Sequence, residues 1–268
     1  MKLTAFLVFL WLLLLTVPGV LSAKGQKVQA ELGDMYQPLV IVGEGWSQQI
    51  IVKNVDREGD ALVGTLDFFT ANGAPWEVEL VGRARASRYF ITLNPGQVAV
   101  FETVVKDHGQ VLGFARTDVA CCAWYGAQTI FRKQTEGRPD LMASVSLDDK
   151  AFRVAHIPFD NIDGKYTGLG VLNTRSCLRE CTPNDRGAFR YTFRDEAGVP
   201  FETRDVAQQN FTLSWVNLGA EFPSTNGRRG SLEISAVNPE DRILLDVAAF
   251  SLQFTPNGAF AAIVPIHD

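Results

Sequence analysis

A short pattern of strand, glycine turn, proline and aromatic residue occurs twice in this sequence, and it constrains the fold more than any other feature. The first copy covers residues 65–76 and turns at Asn72-Gly73; the second covers residues 190–201 and turns at Ala197-Gly198. Glycine tolerates the positive φ angle that tight hairpin turns need. The repetition predicts two similar β modules in one chain.

Two further pairs of segments support the duplication. Residues 45–54 match residues 164–173, and residues 113–115 match residues 230–232. The spacing between copies grows from 119 residues at the first pair to 125 at the turns, which places an insertion near residues 177–181. Insertions are accommodated in surface loops, so we expect this one in a loop of the second module.

The rest of the chain consists of short β-rich runs separated by Gly, Pro, Asn and Asp, a pattern typical of sandwiches and barrels. One hairpin is predicted between residues 61–69 and 75–81, across Asn72-Gly73. Residues 215–222 have apolar spacings that fit a helix of one or two turns. No other window keeps a helical period, so the sequence predicts the all-β class.

The N-terminus predicts export. Lys2, an apolar run over residues 5–17 and the small residues Ser22-Ala23 follow the order of a secretory signal peptide. The alternative is an uncleaved membrane anchor, since residues 5–23 nearly reach the ~20 residues that span a bilayer. Pro18-Gly19 would break such a helix near its end, which favours cleavage and a secreted or periplasmic protein.

Length and composition suggest a domain plan. We predict a signal peptide over residues 1–23, a flexible lead-in over 24–36, and β-sandwich modules over 37–150 and 151–268. One sandwich needs about 100 residues, and a hydrophobic content of 46% suffices for two cores. A formal net charge of −5 offers no electrostatic footprint for nucleic acid. No later stretch is apolar enough to span a membrane.

Four cysteines, Cys121, Cys122, Cys177 and Cys181, are the most informative polar feature. An even number in an exported protein indicates disulfides. We expect a local bond between Cys177 and Cys181 and a strained vicinal bond between Cys121 and Cys122, while pairing across the modules stays open. Zinc held by four thiolates is the alternative, but zinc ligands are usually separated by two to four residues, and Cys121 and Cys122 are adjacent.

Residues 160–164 gather oxygen ligands that could hold calcium, with Asp160 and Asp163 as the weak candidates. A turn between two strands needs Asp, Asn and Gly for backbone reasons alone, and no Glu completes a loop of the EF-hand kind. The turn is the preferred interpretation. The sequence therefore predicts no metal and no cofactor.

The candidates for binding are basic and aromatic side chains. They are Arg83, Arg85, Arg88, Trp46, Trp124 and Tyr125. The arginines lie beside Tyr89-Phe90 and would suit an anionic glycan or a partner carboxylate, although arginine at a strand edge also prevents unwanted sheet pairing. Most tryptophans in sandwiches lie in the core, so the exposure of Trp124, beside the cysteine pair, is the one to test.

Several of these segments can be compared with known proteins as a set. They are Gly43-Glu44-Gly45-Trp46 with a strand ending at Asn54, Asn72-Gly73-Ala74-Pro75, Phe131-Arg132-Lys133-Gln134, Arg138-Pro139-Asp140, Ile157-Pro158-Phe159-Asp160-Asn161 and Gly164. Together they resemble a tandem β-sandwich module of secreted bacterial proteins, over essentially the whole mature chain. The resemblance implies two tandem immunoglobulin-like antiparallel sandwiches and export. It implies no activity, because that group has no established one, and it carries over no functional residue.

The sequence shows no recognised catalytic constellation, so the leading hypothesis is a non-catalytic secreted or periplasmic protein. It would act in surface interaction, adhesion or as a structural assembly element, with a protein or glycan partner on the cell surface or in the envelope. A carbohydrate-binding sandwich protein and a β-sandwich hydrolase are the alternatives. A strip of exposed Trp and Tyr on one sheet would favour the first, and two carboxylates facing across a cleft would favour the second.

Overall fold

The computed structural model describes residues 34–267 apart from 57, 107–108, 122–123, 148–153, 175–185 and 238–246. The first half of the chain forms β1 (Met35–Val42), β2 (Trp46–Asn54), β3 (Leu62–Thr70), β4 (Arg88–Leu93), β5 (Val98–Glu102), β6 (Val111–Cys121), β7 (Tyr125–Lys133) and β8 (Leu141–Ser146). The second half forms β9 (Val154–Asp160), β10 (Tyr166–Asn173), β11 (Arg186–Asp195), β12 (Pro200–Gln209), β13 (Thr212–Asn217), α1 (Leu218–Glu221), β14 (Arg229–Ala236), β15 (Val247–Phe254), β16 (Phe260–Ile263) and β17 (Ile266–His267). Nothing helical in these described stretches has the length and hydropathy of a membrane-spanning helix.

The strands form four antiparallel sheets. In the first half they are sheet A, in the order β1-β6-β3-β4, and sheet B, in the order β5-β2-β7-β8. In the second half they are sheet C, β12-β11-β14-β9-β17, and sheet D, β13-β10-β15-β16. When β9 to β16 are matched in order with β1 to β8, the two halves have the same strand order, and β17 is an addition at one edge. The predicted all-β sandwich class is confirmed.

Two matched glycines show the physical basis of this repetition. Gly113 in β6 faces the end of β3, and Gly230 in β14 faces the end of β11. A Cβ atom at Gly113 would lie 2.2 Å from the carbonyl oxygen of Phe69, and one at Gly230 would lie 1.9 Å from that of Arg194. Both strands need glycine because neighbouring backbone approaches too closely for any side chain.

A buried asparagine is repeated in the same way. The side-chain NH₂ of Asn54, at the end of β2, donates to the carbonyl of Leu93 at 3.0 Å. The side-chain NH₂ of Asn173, at the end of β10, donates to the carbonyl of Gln208 at 3.4 Å. Both asparagines are fully buried, and each ties one sheet of its half to the edge strand of the other sheet. Buried amides without such partners would be costly.

Among the residues that the structure describes, the predicted turn occurs three times rather than twice, at residues 70–74, 195–199 and 255–259. In each copy the first N–H donates to the fifth carbonyl at 2.8–3.0 Å, and the glycine N–H donates to the first carbonyl at 2.9 Å. The three glycines, Gly73, Gly198 and Gly258, have φ angles of 83°, 80° and 84°. Residues 255–259 differ from residues 70–74 at one position only, so a comparison of five-residue windows could have found the third copy.

Two sequence predictions about the first half need correction. Strand β1 begins at Met35, inside the predicted lead-in, because Met35 is buried in the core.

Residues 75–81 do not form the predicted hairpin strand, since β3 pairs with β4 and residues 75–81 make only isolated bridges. Proline cannot donate to a ladder, and Val78 and Leu80 turn into the core instead. In the second half the matching hairpin of β11 and β12 does form.

The helix predicted within residues 215–222 is confirmed as the single turn α1. Asn217 caps it, because its side-chain oxygen accepts the N–H of Gly219 at 3.0 Å and that of Ala220 at 3.4 Å. The predicted module boundary at 150/151 lies outside the described residues.

Each half has its own hydrophobic core between its two sheets. A third buried cluster, which we call the junction core, joins the halves. Its buried members are Leu39, Ile41, Trp46, Phe114, Phe131, Val145, Leu172, Leu213, Ala248, Phe250 and Leu252. The rings of Phe131 and Phe250 stack with centroids 5.1 Å apart, and the N–H of Leu213 donates to the carbonyl of Ala71 at 2.8 Å. The outer face of sheet D is therefore packed against the first half.

Candidate functional site

Four charged or polar side chains cross the outer face of sheet A in one row. Tyr36 of β1 is directly opposite Arg116 of β6, Arg116 is opposite Asp67 of β3, and Asp67 is opposite Arg88 of β4. Successive side chains of a strand alternate between faces, and Leu66 and Phe68 beside Asp67 fill the core. The four residues, here called the Asp67 row, therefore lie on the opposite face, away from the core.

Asp67 is the centre of this row. Its carboxylate accepts two hydrogen bonds from Arg88, at 2.7 and 2.9 Å, and one from Arg116 at 3.2 Å. The Asp67 side chain is 3% exposed. Burial disfavours its charged form, but the hydrogen bonds and charges of the two arginines outweigh burial and hold the pKa of Asp67 below its ordinary value. Asp67 is thus held as a carboxylate between the two arginines.

Asp34 extends the network at the β1 edge. Its Oδ2 accepts a hydrogen bond from the Tyr36 hydroxyl at 3.3 Å and lies 3.7 Å from a guanidinium nitrogen of Arg116. Burial raises the pKa of Asp34 above its ordinary value, although Arg116 opposes that shift. Burial also raises the pKa of the Tyr36 hydroxyl, with the charge of Asp34 adding to the effect. Tyr36 therefore stays protonated and serves as a donor.

The second half provides an internal control for this row. The matching positions on the outer face of sheet C hold His156, Glu233, Thr192 and Thr203, which are opposite one another in the same order. The buried acid Asp67 is thus replaced by Thr192, and Arg88 by Thr203. The shared strand order is kept without these ion pairs, although the same face of sheet C carries others, Arg190–Asp205 and Arg194–Glu233. The scaffold itself therefore does not require the Asp67 row.

An exposed aromatic ring and a cleft adjoin the row. Phe90 in edge strand β4 is 80% exposed and lies on the same face, opposite Thr65. The cleft has a volume of about 280 Å³ and is lined by Asp67, Phe68, Phe69, Pro75, Ser87 and Arg88. A side chain with an apolar body and a polar end fits such a lining.

Arg88 can contact a partner without first being ordered. Its side chain is 56% exposed, while Asp67 holds two of its nitrogens in place. A group that is already fixed loses less conformational entropy on binding. The arrangement therefore suits recognition of a polar partner at a rigid surface.

The structure separates the three arginines that the sequence suggested as one patch. Arg88 belongs to the Asp67 row. The guanidinium carbon of Arg83 lies 4.4 Å from the centroid of the Phe101 ring. Arg85 donates to the carbonyl of Glu77 at 3.2 Å and forms an exposed ion pair with its carboxylate at 3.7 Å. Arg83 and Arg85 lie in residues 75–87, the segment that replaced the predicted hairpin.

The three aromatic candidates from the sequence differ in how much of each side chain is buried. Trp46 is 6% exposed and packs in the junction core, 4.9 Å from the Phe260 ring by centroids. Tyr125 is also buried. Trp124 is half-buried, and its backbone N–H donates to Asp56 at 3.0 Å. None of the three lies on the face that carries the Asp67 row.

The calcium candidates form the preferred turn. Asp163 and Gly164 have φ angles of 55° and 74°, and the N–H of Lys165 donates to the carbonyl of Ile162 at 3.0 Å. Burial disfavours the Asp160 carboxylate, but the hydrogen bond from Lys165 Nζ at 2.8 Å outweighs it and lowers the pKa of Asp160. Across the described part of the chain, no three His, Cys, Asp or Glu side chains are grouped for a metal.

The disulfide predictions fall outside what the structure describes. Cys122, Cys177 and Cys181 lie in undescribed segments, and of Cys121 only its backbone position at the end of β6 is given. Disulfide bonding of all four cysteines stays a prediction.

Sequence reasoning missed Tyr36, Asp67 and Arg116, because their grouping depends on which strands are neighbours in sheet A. Strand alternation offered a partial signal, since a charged residue flanked by core residues in a strand points outward. Comparison of the chain with protein-family models, curated proteins and solved structures returned no match in any of the three.

Proposed function

We propose that the chain is a non-catalytic, exported binding protein of two tandem immunoglobulin-like sandwiches, which attaches to a protein or glycan partner of the cell surface or envelope. The binding surface is the outer face of sheet A around the Asp67 row and Phe90. The observation that carries the proposal is the contrast between the halves: the buried ion-pair row and its cleft occur on sheet A and are replaced on sheet C.

The charge state of Asp67 supports a binding role for this residue. A general acid needs a carboxyl whose pKa is raised toward the working pH, whereas the arginines lower the pKa of Asp67. Asp67 instead fixes Arg88 beside an exposed aromatic ring. Arginine and aromatic residues are the side chains that dominate many interfaces.

Phe90 gives a direct test. Burying a Phe side chain contributes about 1.5–3 kcal/mol, so we expect Phe90→Ala to weaken attachment to the partner about tenfold or more. The fluorescently labelled mature chain would be titrated onto washed envelopes of its host, and the dissociation constant would be read from the bound fraction.

Val199→Ala is the matched control, because Val199 is an exposed apolar residue of the second half. It should leave the dissociation constant unchanged. Equal attachment of wild type, Phe90→Ala and Val199→Ala would overturn the assignment of this surface. Thermal unfolding of each variant checks that the fold is intact.

A further inference from the structure

An aromatic cluster lies on the outer face of sheet D, at the rim of the junction core. Phe254 and Phe260 contact Trp46 of the first half, and Tyr166 extends the cluster away from the junction core. Tyr166 of β10 is directly opposite Phe254 of β15, and Phe254 is opposite Phe260 of β16. Leu169 and Val171, which alternate with the outward residues of β10, belong to the core of the second half. The three rings therefore lie on the outward face, in the same sheet as the buried junction residues Leu172 and Phe250.

The ring of Tyr166 has one covered face and one open face. It stacks on Phe254 with centroids 4.6 Å apart and planes 10° apart. Tyr166 is nevertheless 40% exposed. A ring that is covered on one side and still exposed to this extent presents its other side to solvent.

Trp215 enlarges this surface because two glycines make room for its ring. A Cβ atom at Gly168 would lie 2.5 Å from the Trp215 ring, and one at Gly170 would lie 3.4 Å from it. The ring of Trp215 therefore rests on the backbone of β10. The same Cβ atom at Gly168 would lie 3.4 Å from the Phe254 ring, so Trp215 and Phe254 border the same point of β10. With Tyr166 stacked on Phe254, the three rings form one aromatic surface.

The first half again provides a control. The positions that match Tyr166, Gly168, Trp215 and Phe254 hold Ser47, Gln49, Val100 and Arg132. The aromatic cluster is therefore specific to the second half.

The size of the surface limits its occupant. Fully buried aromatic side chains cover about 150–250 Å² each, and these three are at most 40% exposed, which leaves about 300 Å² or less. A stable protein interface needs about 800 Å² per partner. A single sugar ring, whose C–H groups pack on an aromatic face, is of the right size.

Polar groups at the rim suit a neutral ligand. The exposed Asn217 is directly opposite Gly168; its side-chain oxygen caps α1, and in the described structure its NH₂ group is left to donate. The Tyr166 hydroxyl adds a donor and acceptor. The nearest sequence neighbour with a charge, Lys165, is neutralised by Asp160 at 2.8 Å.

We propose that Tyr166, Trp215 and Phe254 form a binding site for an uncharged pyranose of a glycan, separate from the surface on sheet A.

The experiment uses the full mature chain and four neutral probes: cellohexaose, xylohexaose, mannohexaose and chitohexaose. Isothermal titration calorimetry should show saturable binding of at least one probe. Tyr166→Ala should weaken that binding at least tenfold, while Tyr166→Phe should retain it because the ring remains. Trp215→Ala should also weaken it, with a thermal unfolding curve to confirm folding, since Trp215 packs on β10.

Val199→Ala is the matched control, because Val199 is an exposed apolar residue outside both proposed surfaces, and it should leave sugar binding unchanged. The sheet A surface is tested with envelopes and Phe90→Ala, whereas this site is tested with sugars and Tyr166→Ala, so failure of one proposal can be told apart from failure of the other. Absence of binding to all four probes would overturn the proposal. Equal affinities of wild type and Tyr166→Ala would overturn it as well.

Discussion

At the scale of single residues, the two halves are most alike at two positions where the backbone leaves no room for a side chain. Gly113 and Gly230 have different sequence neighbours, yet each faces a carbonyl oxygen at a distance that excludes a Cβ atom. Gly113 additionally lies against the Trp76 ring, which a Cβ atom would approach to 2.8 Å. The two halves therefore share the backbone geometry at these positions, although the neighbouring side chains differ.

We expect Gly113→Ala and Gly230→Ala each to destabilise the protein by about 1–3 kcal/mol, the usual cost of overpacking a filled site. Gly126→Ala is the matched control, because the nearest atom to a Cβ there is a Val55 methyl at an ordinary 3.7 Å. Urea denaturation would give the three free energies of unfolding. Similar stabilities for Gly113→Ala and Gly126→Ala would contradict the steric explanation.

At the scale of elements, the two matched outer faces of sheets B and D have opposite fates. On sheet D, Leu172 and Phe250 are buried in the junction core. On sheet B the matching positions are Lys53 and Gln128, and both are exposed. Charged and amide side chains resist removal from water, so Lys53 and Gln128 favour a solvent-exposed face at these two positions. Other residues of the same face, Val98, Val100 and Met142, are apolar and exposed.

The double variant Lys53→Leu with Gln128→Phe gives sheet B the apolar residues of sheet D. We expect it to self-associate, because large exposed apolar patches drive association. Sedimentation velocity should show oligomers at micromolar concentration. The conservative pair Lys53→Arg with Gln128→Asn should sediment as wild type does, and a monomeric apolar variant would show that polarity is not what keeps this face free.

At the scale of the whole molecule, the junction core makes the two halves depend on each other. Trp46 and Phe131 share a face of sheet B with core residues Ile50 and Val52, yet residues of sheet D cover them. Fully burying a large apolar side chain contributes about 1.5–3 kcal/mol. Separating the halves would expose many such side chains at once, so they should unfold together.

Calorimetry should therefore show one unfolding transition for the intact chain, with equal calorimetric and van't Hoff enthalpies. Phe250→Ala should lower the free energy of unfolding by about 3–5 kcal/mol, the range for buried Phe, because its ring stacks on Phe131. Val199→Ala, at an exposed site, should leave it nearly unchanged. Two resolved transitions in wild type would show that the junction does not couple the halves.

Much of the architecture could be predicted from short patterns in the sequence. The turns at Gly73 and Gly198 need a positive φ, which glycine supplies, and the short alternating runs between turns specify strands. The all-β class follows from these signals. The strand predicted at residues 75–81 is absent from the structure. An apolar run can also enter the core as an irregular segment, and here that segment buries Val78 and Leu80.

The sequence by itself determined the all-β class and the repeated pattern of strands and turns, since turn chemistry and side-chain alternation act over a few residues. The tertiary structure alone decided which residues meet. Asp67, Arg88 and Arg116 become one network only because β4, β3 and β6 are neighbours in sheet A. Trp46, a candidate for binding in the sequence, becomes a packing residue because sheet D covers it. Contacts between distant segments depend on sheet order and on the fit of two surfaces, and neither is written in any local pattern.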